Sequence, residues 1–192
     1  NGWELDSDKT NYSTYTYSTA GAGLFASVKN ATIKNIAISG AEVVFECVDM
    51  GIVVGYAQGV CHFENIVVTD SKIANYNRYT GGVVGEVSYG PYGLEYTDEN
   101  GEDTLFSHTF KNITVDNSNK ISALWGSYDV ACGGIVGQYY PTSGQSSAGY
   151  PVNAGVHMEN CHVAAQMDVY NDVCANYQYY AYRYTGMMIG SI

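Results

Sequence analysis

The sequence is poor in basic side chains. Only 8 of its 192 residues are Lys or Arg, against 19 Asp and Glu, which gives a formal net charge of -11. Nucleic acids and anionic membranes bind proteins through basic faces, so this charge balance argues against both as partners. No run approaches the length of about 18 apolar residues that a membrane-spanning helix needs.

The cysteine pattern lacks the spacings of a metal site. The chain has an odd number of cysteines at irregular intervals and no C-x-x-C pair. This argues against both a zinc site and a disulfide framework, and predicts small buried thiols instead. The five cysteines are Cys47, Cys61, Cys132, Cys161 and Cys174. The sequence also lacks a G-x-S-x-G nucleophile motif and a phosphate-binding loop, and it indicates no cofactor.

The abundant residues are those of β-structure. The chain has 19 Tyr and 22 Gly, many Thr, Ser and Asn, and few Leu. This composition favours a β-rich, extracellular protein. An apolar content of 46% is enough for one domain with a core, so residues 1–192 are predicted to form a single domain.

A glycine-bracketed apolar run recurs along the chain. A typical copy is "GGVVG", and Ala22 takes the glycine slot in the first copy. The copies are Ala22–Ala26, Gly51–Gly55, Gly81–Gly85, Gly133–Gly137 and Gly186–Gly190. Their starting points lie 29, 30, 52 and 53 residues apart.

Two further runs follow each of the first four copies. One has an asparagine between apolar residues, as in "FKNITV" (110–115), and the other is a short apolar run about eight residues later. Three short strands per unit and no helical periodicity predict a parallel β-helix of about five coils, which we take to be right-handed. Each coil is expected to bury its apolar face only against its neighbours.

The asparagines are predicted to form a structural ladder at one corner. Asparagine tolerates left-handed backbone, and stacked amides can hydrogen-bond along the axis. The four positions are Asn35, Asn65, Asn112 and Asn160. The preceding residues alternate in charge, which favours the proposed stacking order. They are Lys34, Glu64, Lys111 and Glu159.

The extra length falls at two corners of the predicted coils. Insertions 88–109 and 140–157 both lie between the first and second strands, so they are expected side by side. The segment before each glycine motif becomes longer along the chain. It spans residues 75–80, then 122–132 and then 170–185. Insertions on one face of a solenoid often form its binding face.

Both ends of the chain look interrupted. Residues 1–5 ("NGWEL") match 39–43 ("SGAEV"), and the chain closes on a bare first strand. A solenoid end exposes strand edges unless it is capped. We therefore expect either an excerpt of a longer protein or a subunit that stacks end to end.

The passages "GGVVGEV…FKNITV" and "GGIVGQYY…MENCHV" resemble the GLUG-type repeat of bacterial surface proteins. "AGLFASVKNATIKNIAISGAEV" (22–43) is the most similar stretch, and the likeness covers 20–192 without the two insertions. Such repeats occur in large secreted or wall-attached, adhesin-like proteins. The resemblance implies a β-helical segment outside the cell or on its surface, and it carries over no catalytic residue.

Candidate sites for catalysis are weak. Carbohydrate-active β-helices need clustered carboxylates, whereas Asp116, Asp168 and Glu86 are predicted to be isolated on different sheets or coils. We interpret Arg78 and Arg183 as turn residues, because no other catalytic group is predicted beside them. The chain is therefore predicted to be no enzyme.

A metal site also has little support. Asp98, Asn100 and Asp103 resemble the start of a calcium loop, but Thr109 replaces its final acid. A plain acidic turn is the favoured reading. His157 and His162 are read as surface residues.

The remaining candidate is an aromatic face. Flat rings with a polar tip suit sugar and protein surfaces, although they can also shield the core of a corner. The candidate ligand-binding residues are Trp125, Tyr128, Tyr177, Tyr179, Tyr180, Tyr182, Arg183 and Tyr184. We expect a non-catalytic adhesin-like module that binds a glycan or a host or cell-surface protein. The alternatives are a stalk or filament segment that self-associates end to end, and a polysaccharide-active β-helix enzyme.

Overall fold

The computed structural model describes residues 21–88, 107–124, 130–140, 155–169 and 183–191. All regular secondary structure within these ranges is β-strand, and the chain repeats a fixed order of strands in successive passes. None of these residues belongs to a helix long and apolar enough to cross a bilayer.

The strands are short, and most passes contain four of them. The first pass contains β1 (Phe25–Lys29), β2 (Thr32–Ser39) and β3 (Glu42–Phe45). The second contains β4 (Asp49–Gly51), β5 (Val54–Gln58), β6 (His62–Thr69) and β7 (Lys72–Asn75). The third contains β8 (Tyr79–Gly81), β9 (Val84–Ser88), β10 (Ser107–Val115) and β11 (Lys120–Ala123).

The fourth pass has the same order with one interrupted strand. It contains β12 (Val130–Gly133), β13 (Val136–Tyr140), β14 (Gly155–Glu159), β15 (His162–Val163) and β16 (Gln166–Val169). The last described strands are β17 (Arg183–Gly186) and β18 (Ile189–Ser191). Both β14 and β15 pair with β10, so together they occupy one strand position.

Equivalent strands of successive passes pair in parallel and build four sheets. Sheet A is β4-β8-β12-β17, sheet B is β1-β5-β9-β13-β18, sheet C is β2-β6-β10-β14, and sheet D is β3-β7-β11-β16. The chain therefore runs from A to B to C to D and back to A. This all-β arrangement of parallel sheets, stacked in strand register, is compatible with a β-helix or solenoid.

The prediction of three strands per unit is wrong, because the glycine motif is a bend between two strands. Its first glycine ends a sheet A strand, as Gly81 ends β8, and its last two residues open a sheet B strand. A Cβ at Gly81 would collide with the carbonyl oxygen of Val84 and the amide nitrogen of Gly137. Only glycine permits this tight approach of two backbones.

The core lies between the sheets and consists of stacked equivalent residues. Phe63 and Phe110 occupy paired positions in sheet C, and their rings stack with centroids 4.7 Å apart. Ile66 and Ile113 are likewise paired and fully buried. Ile33, which is paired with Phe63 but lies in the first pass, is 8% exposed. Burial thus depends on a neighbouring pass on each side.

The four ladder asparagines adopt the same left-handed backbone conformation. Their φ angles are 58°, 53°, 54° and 51° from Asn35 to Asn160. The side-chain amide of Asn65 donates to Oδ1 of Asn35 at 2.9 Å, Asn112 donates to Asn65 at 2.8 Å, and Asn160 donates to Asn112 at 2.8 Å. The side chains therefore form one continuous hydrogen-bonded column with a single direction.

The alternating charges beside this column are also in register. Lys34 pairs with Glu64, Glu64 with Lys111, and Lys111 with Glu159. Within the described ranges only the last pair forms a salt bridge, with Nζ and Oε1 3.2 Å apart. Both side chains are about half exposed, so this pair contributes at most about 1 kcal/mol.

Candidate functional site

The two long insertions leave and re-enter the sheets at neighbouring positions. Ser88 ends β9 and Tyr140 ends β13, and these residues are paired in sheet B. The chain re-enters sheet C at Ser107 and Gly155, which are also paired. The interiors of the insertions, including Asp98, Asn100 and Asp103, lie outside the described residues.

The aromatic corner has the same stacked geometry at its two boundaries. Ala123 and Val169 are paired where the chain leaves sheet D, and Val130 and Arg183 are paired where it enters sheet A. Tyr184 is paired with Ala131 and is 37% exposed. The other candidate aromatic residues lie outside the described part of the chain, namely Trp125, Tyr128, Tyr177, Tyr179, Tyr180 and Tyr182.

A polar group not anticipated from the sequence lies where sheet A meets sheet B. Asp49 is the first residue of β4 and is only 4% exposed. Its neighbour along sheet A is Tyr79, the first residue of β8, and Arg78 immediately precedes that strand. Glu86 belongs to β9 in sheet B. Together Asp49, Glu86 and Arg78 form what we call the seam cluster.

Glycine brings the two carboxyl groups together across passes. A Cβ at Gly85 would lie 2.8 Å from the carbonyl carbon of Asp49, so the backbone of β9 packs directly on β4. Glu86 follows Gly85 in the sequence and is hydrogen-bonded to Asp49 through its side chain. The prediction that Glu86 is an isolated acid is therefore wrong, and so is the prediction that no potential catalytic group lies beside Arg78.

Burial controls the electrostatics of Asp49. Desolvation, followed by the charge and hydrogen bond of Glu86, raises the pKa of Asp49 to about 9, while Arg78 opposes this shift. Burial also raises the pKa of Glu86, against the hydrogen bond from Asp49 and the charge of Arg78. Asp49 therefore keeps the proton and donates it in a hydrogen bond to the Glu86 carboxylate.

Neutral polar side chains complete the surroundings of the seam cluster. Tyr56 and Gln138 flank Glu86 on the adjacent strands of sheet B. The pKa of Tyr56 is raised by burial, and its side chain hydrogen-bonds to Ser88. Cys47 donates through Sγ to the backbone carbonyl of Asp49 at 3.2 Å, and burial raises the pKa of this thiol to about 12. The thiol is thus a poor nucleophile.

The other acids considered in the sequence have local partners. The Oδ1 of Asp116 accepts hydrogen bonds from the Ser118 backbone at 3.1 Å and the Asn119 amide at 2.8 Å. Asp168 pairs with Lys120 at 2.9 Å, which lowers the pKa of this carboxyl. These contacts organise a turn and a sheet surface.

Histidines and cysteines form no metal centre in the described ranges, where no group of three potential His, Cys, Asp or Glu ligands occurs. His157 and His162 are exposed, as predicted. His108 is fully buried, and its Nδ1 accepts a hydrogen bond from the Cys61 amide at 3.3 Å. Burial lowers the pKa of His108 to about 4.

Asp49 could have been found from the repeat itself. The equivalent positions in the following passes hold Tyr79, Ala131 and Tyr184, so a carboxyl at this position departs from its column. The contact between Asp49 and Glu86 could not be predicted from the sequence, because it depends on how closely sheet A approaches sheet B.

Comparison with protein-family models, curated proteins and solved structures gives no match to this chain.

Proposed function

We propose that the chain is a non-catalytic, extracellular β-helical repeat module of a bacterial adhesin-like surface protein. In this proposal each pass is one coil of a right-handed parallel β-helix of about five coils. The continuous parallel register of the four sheets supports the helix, and the likeness of the repeats to GLUG-type sequences supports the adhesin-like setting.

The proposed binding face is the aromatic corner, with a glycan or a host or cell-surface protein as partner. The observation that supports this is the stacked register at both boundaries of the corner, where the described residues before and after the aromatic segments are paired in successive passes. Tyr184, the described aromatic member, is accessible at this corner. Tyrosine rings suit sugar faces because they offer a flat apolar surface with a hydroxyl at its rim.

A glycan array tests this proposal when reducing-end release is measured on every hit. We expect binding without release. Replacing Tyr179, Tyr180 and Tyr182 together by Ala should abolish binding, whereas Tyr140→Ala at the insertion corner should retain it. Tyr140 is a suitable control because it is 52% exposed and lies at the other corner. Equal loss in both variants would contradict the assignment of the binding face.

A stalk or filament segment is the alternative. The first and last described glycine motifs leave apolar side chains accessible, with Leu24 59%, Phe25 42% and Met187 55% exposed. Such surfaces can associate between copies. Sedimentation velocity over a hundredfold range of concentration separates the two proposals, since assembly that grows with concentration favours the stalk and a strict monomer disfavours it.

A polysaccharide-active enzyme is the second alternative, and the seam cluster is the observation that favours it. Two carboxyl groups and an arginine do come together there. However, the carboxyls are hydrogen-bonded to each other, whereas a retaining glycosidase holds its pair about 5–5.5 Å apart around the substrate. Product release that is lost in both Asp49→Asn and Glu86→Gln would establish this alternative.

A further inference from the structure

The Asp49–Glu86 pair joins two sheets and two passes of the chain. Asp49 belongs to sheet A in the second pass, and Glu86 belongs to sheet B in the third. Asp49 is 4% exposed, and its Oδ1 has no hydrogen-bond partner within the described residues. Water therefore has little access to Asp49, while Glu86 is half-buried. Two ionised carboxylates in contact here would repel each other with little solvent screening on the Asp49 side.

The charges around the pair balance only when it holds one proton. Arg78, at the start of β8, supplies one positive charge against two carboxyl groups. Among the described neighbours, Tyr56 from β5 and Cys47 before β4 have pKa values raised by burial and are uncharged at neutral pH. Tyr79 of β8 is paired with Asp49 in sheet A, and Glu46 beside Cys47 is exposed to solvent. One acid, one carboxylate and one guanidinium sum to zero charge.

We propose that Asp49 and Glu86 form a proton-dependent lock that holds sheet A against sheet B between adjacent passes. With one shared proton the hydrogen bond closes the seam, and after loss of that proton two carboxylates repel and the seam opens. The backbone contact at Gly85 holds β9 against β4, so the two strands stay close when Asp49 loses its proton unless the seam opens. The lock acts on the fold itself and does not depend on the proposed ligand.

The sign of the pH effect follows from the direction of the Asp49 shift. Its carboxyl has a higher pKa in the folded chain than the ordinary value of 3.8. Folding therefore takes up a proton over this range, and the stabilisation is complete at low pH. It is lost as the pH rises from about 4 through about 9.

A carboxyl titration followed by carbon-13 NMR tests the lock directly. In the intact chain we expect one aspartate carboxyl to stay protonated at neutral pH and to titrate well above the others. Asp49→Asn should remove this signal, and Glu86→Gln should lower its midpoint because the repulsion is gone. The control Glu46→Gln, which changes an exposed acid just before β4, should leave it unchanged. If every aspartate carboxyl lost its proton in the ordinary acidic range, the proposal would be wrong.

Thermal unfolding between about pH 7 and 8 supplies the second test, because both the ordinary and the folded pKa values of His108 (6.5 and about 4) and of Cys47 (9.0 and about 12) lie outside this window. The melting temperature of the intact chain should fall across the window, whereas that of Asp49→Asn should change less. Hydrogen exchange, corrected for its intrinsic pH dependence, should show β4 and β9 opening more at pH 8 in the intact chain alone. If the melting temperatures of the intact chain and of Asp49→Asn changed with pH in parallel, and hydrogen exchange in β4 and β9 did not change, the proposed lock would be wrong. If Asp49→Asn does not fold, the titration midpoint of the protonated aspartate carboxyl in Glu86→Gln still tests the proposal.

Discussion

Asparagine occupies a left-handed backbone position that recurs in successive passes. At the four ladder positions the residue adopts a positive φ. Asn65 and Asn112 each donate and accept along the column, whereas Asn35 only accepts and Asn160 only donates. Few other side chains tolerate this conformation. The ladder could therefore be predicted from the spacing of the asparagines. The Asp49–Glu86 contact could not be predicted, because it depends on distances between sheets that no local sequence pattern encodes.

Replacing Asn65 separates the two contributions of a ladder residue. Asn65→Ala should lower the free energy of unfolding by about 2–4 kcal/mol, because two hydrogen bonds are lost and alanine is strained at positive φ. Asn65→Gly should cost roughly 1 kcal/mol less, because glycine also loses the two hydrogen bonds but is not strained at positive φ. Urea unfolding measures both, with Asn117→Ala at an exposed turn as the control. Equal losses for Ala and Gly would contradict the role of the backbone.

Protonation of His108 should weaken the fold in acid. Its pKa is depressed from 6.5 to about 4, so the unfolded chain binds a proton that the folded chain excludes. Stability is present above pH 6.5 and is lost as the pH falls toward 4, by roughly 3 kcal/mol at the limit. His108→Gln should remove this dependence in urea unfolding at pH 7 and 4.5. The exposed His157→Gln should retain it, and an unchanged slope in His108→Gln would contradict the assignment.

The strands owe their order to the glycine bends between sheets A and B. The sequence motif identified the position of each bend, but it was interpreted as one strand, since a five-residue apolar run gives no sign of a turn inside it. The close backbone approach at Gly81 and its equivalents explains why both elements are so short. Strand positions were thus predictable, and the number of sheets was not.

Two glycine substitutions should have very different effects. Gly81→Ala introduces a Cβ into backbone atoms of β9 and β13 and should prevent folding or cost more than about 4 kcal/mol. Gly40→Ala meets no atom within 4 Å and has only its φ of +69° to oppose it. It should cost about 1 kcal/mol. Circular dichroism and thermal melting compare the pair, and a mild effect at Gly81 would contradict the bend.

The whole molecule is stabilised by contacts between neighbouring passes, so its stability should vary along the stack. Side chains of the second and third passes, such as Phe63 and Phe110, are fully buried, while their counterparts at the ends are less covered. The repeat period predicted this stacking because a single pass cannot enclose a core. The segments at the two corners were located by the same period, but the repeat carries no information about their conformation.

Native-state hydrogen exchange should reveal this gradient. Amides of β6 and β10 should exchange with protection near that of global unfolding, and amides of β1 and β18 should exchange far faster. Phe110→Ala should cost about 3–5 kcal/mol and lower protection throughout the stack. Ile33→Ala should affect mainly the first pass. Uniform protection along the chain would mean that the passes unfold as one unit.

The one-way ladder also determines how the protein would age. Slow deamidation converts an asparagine amide to a carboxylate, which can still accept a hydrogen bond but can no longer donate one. At Asn65, Asn112 or Asn160 this would remove the bond to the preceding rung. At Asn35, which only accepts within the ladder, the same lesion would leave every rung joined. Identical chemical damage would therefore be harmless at one end of the column and disruptive elsewhere.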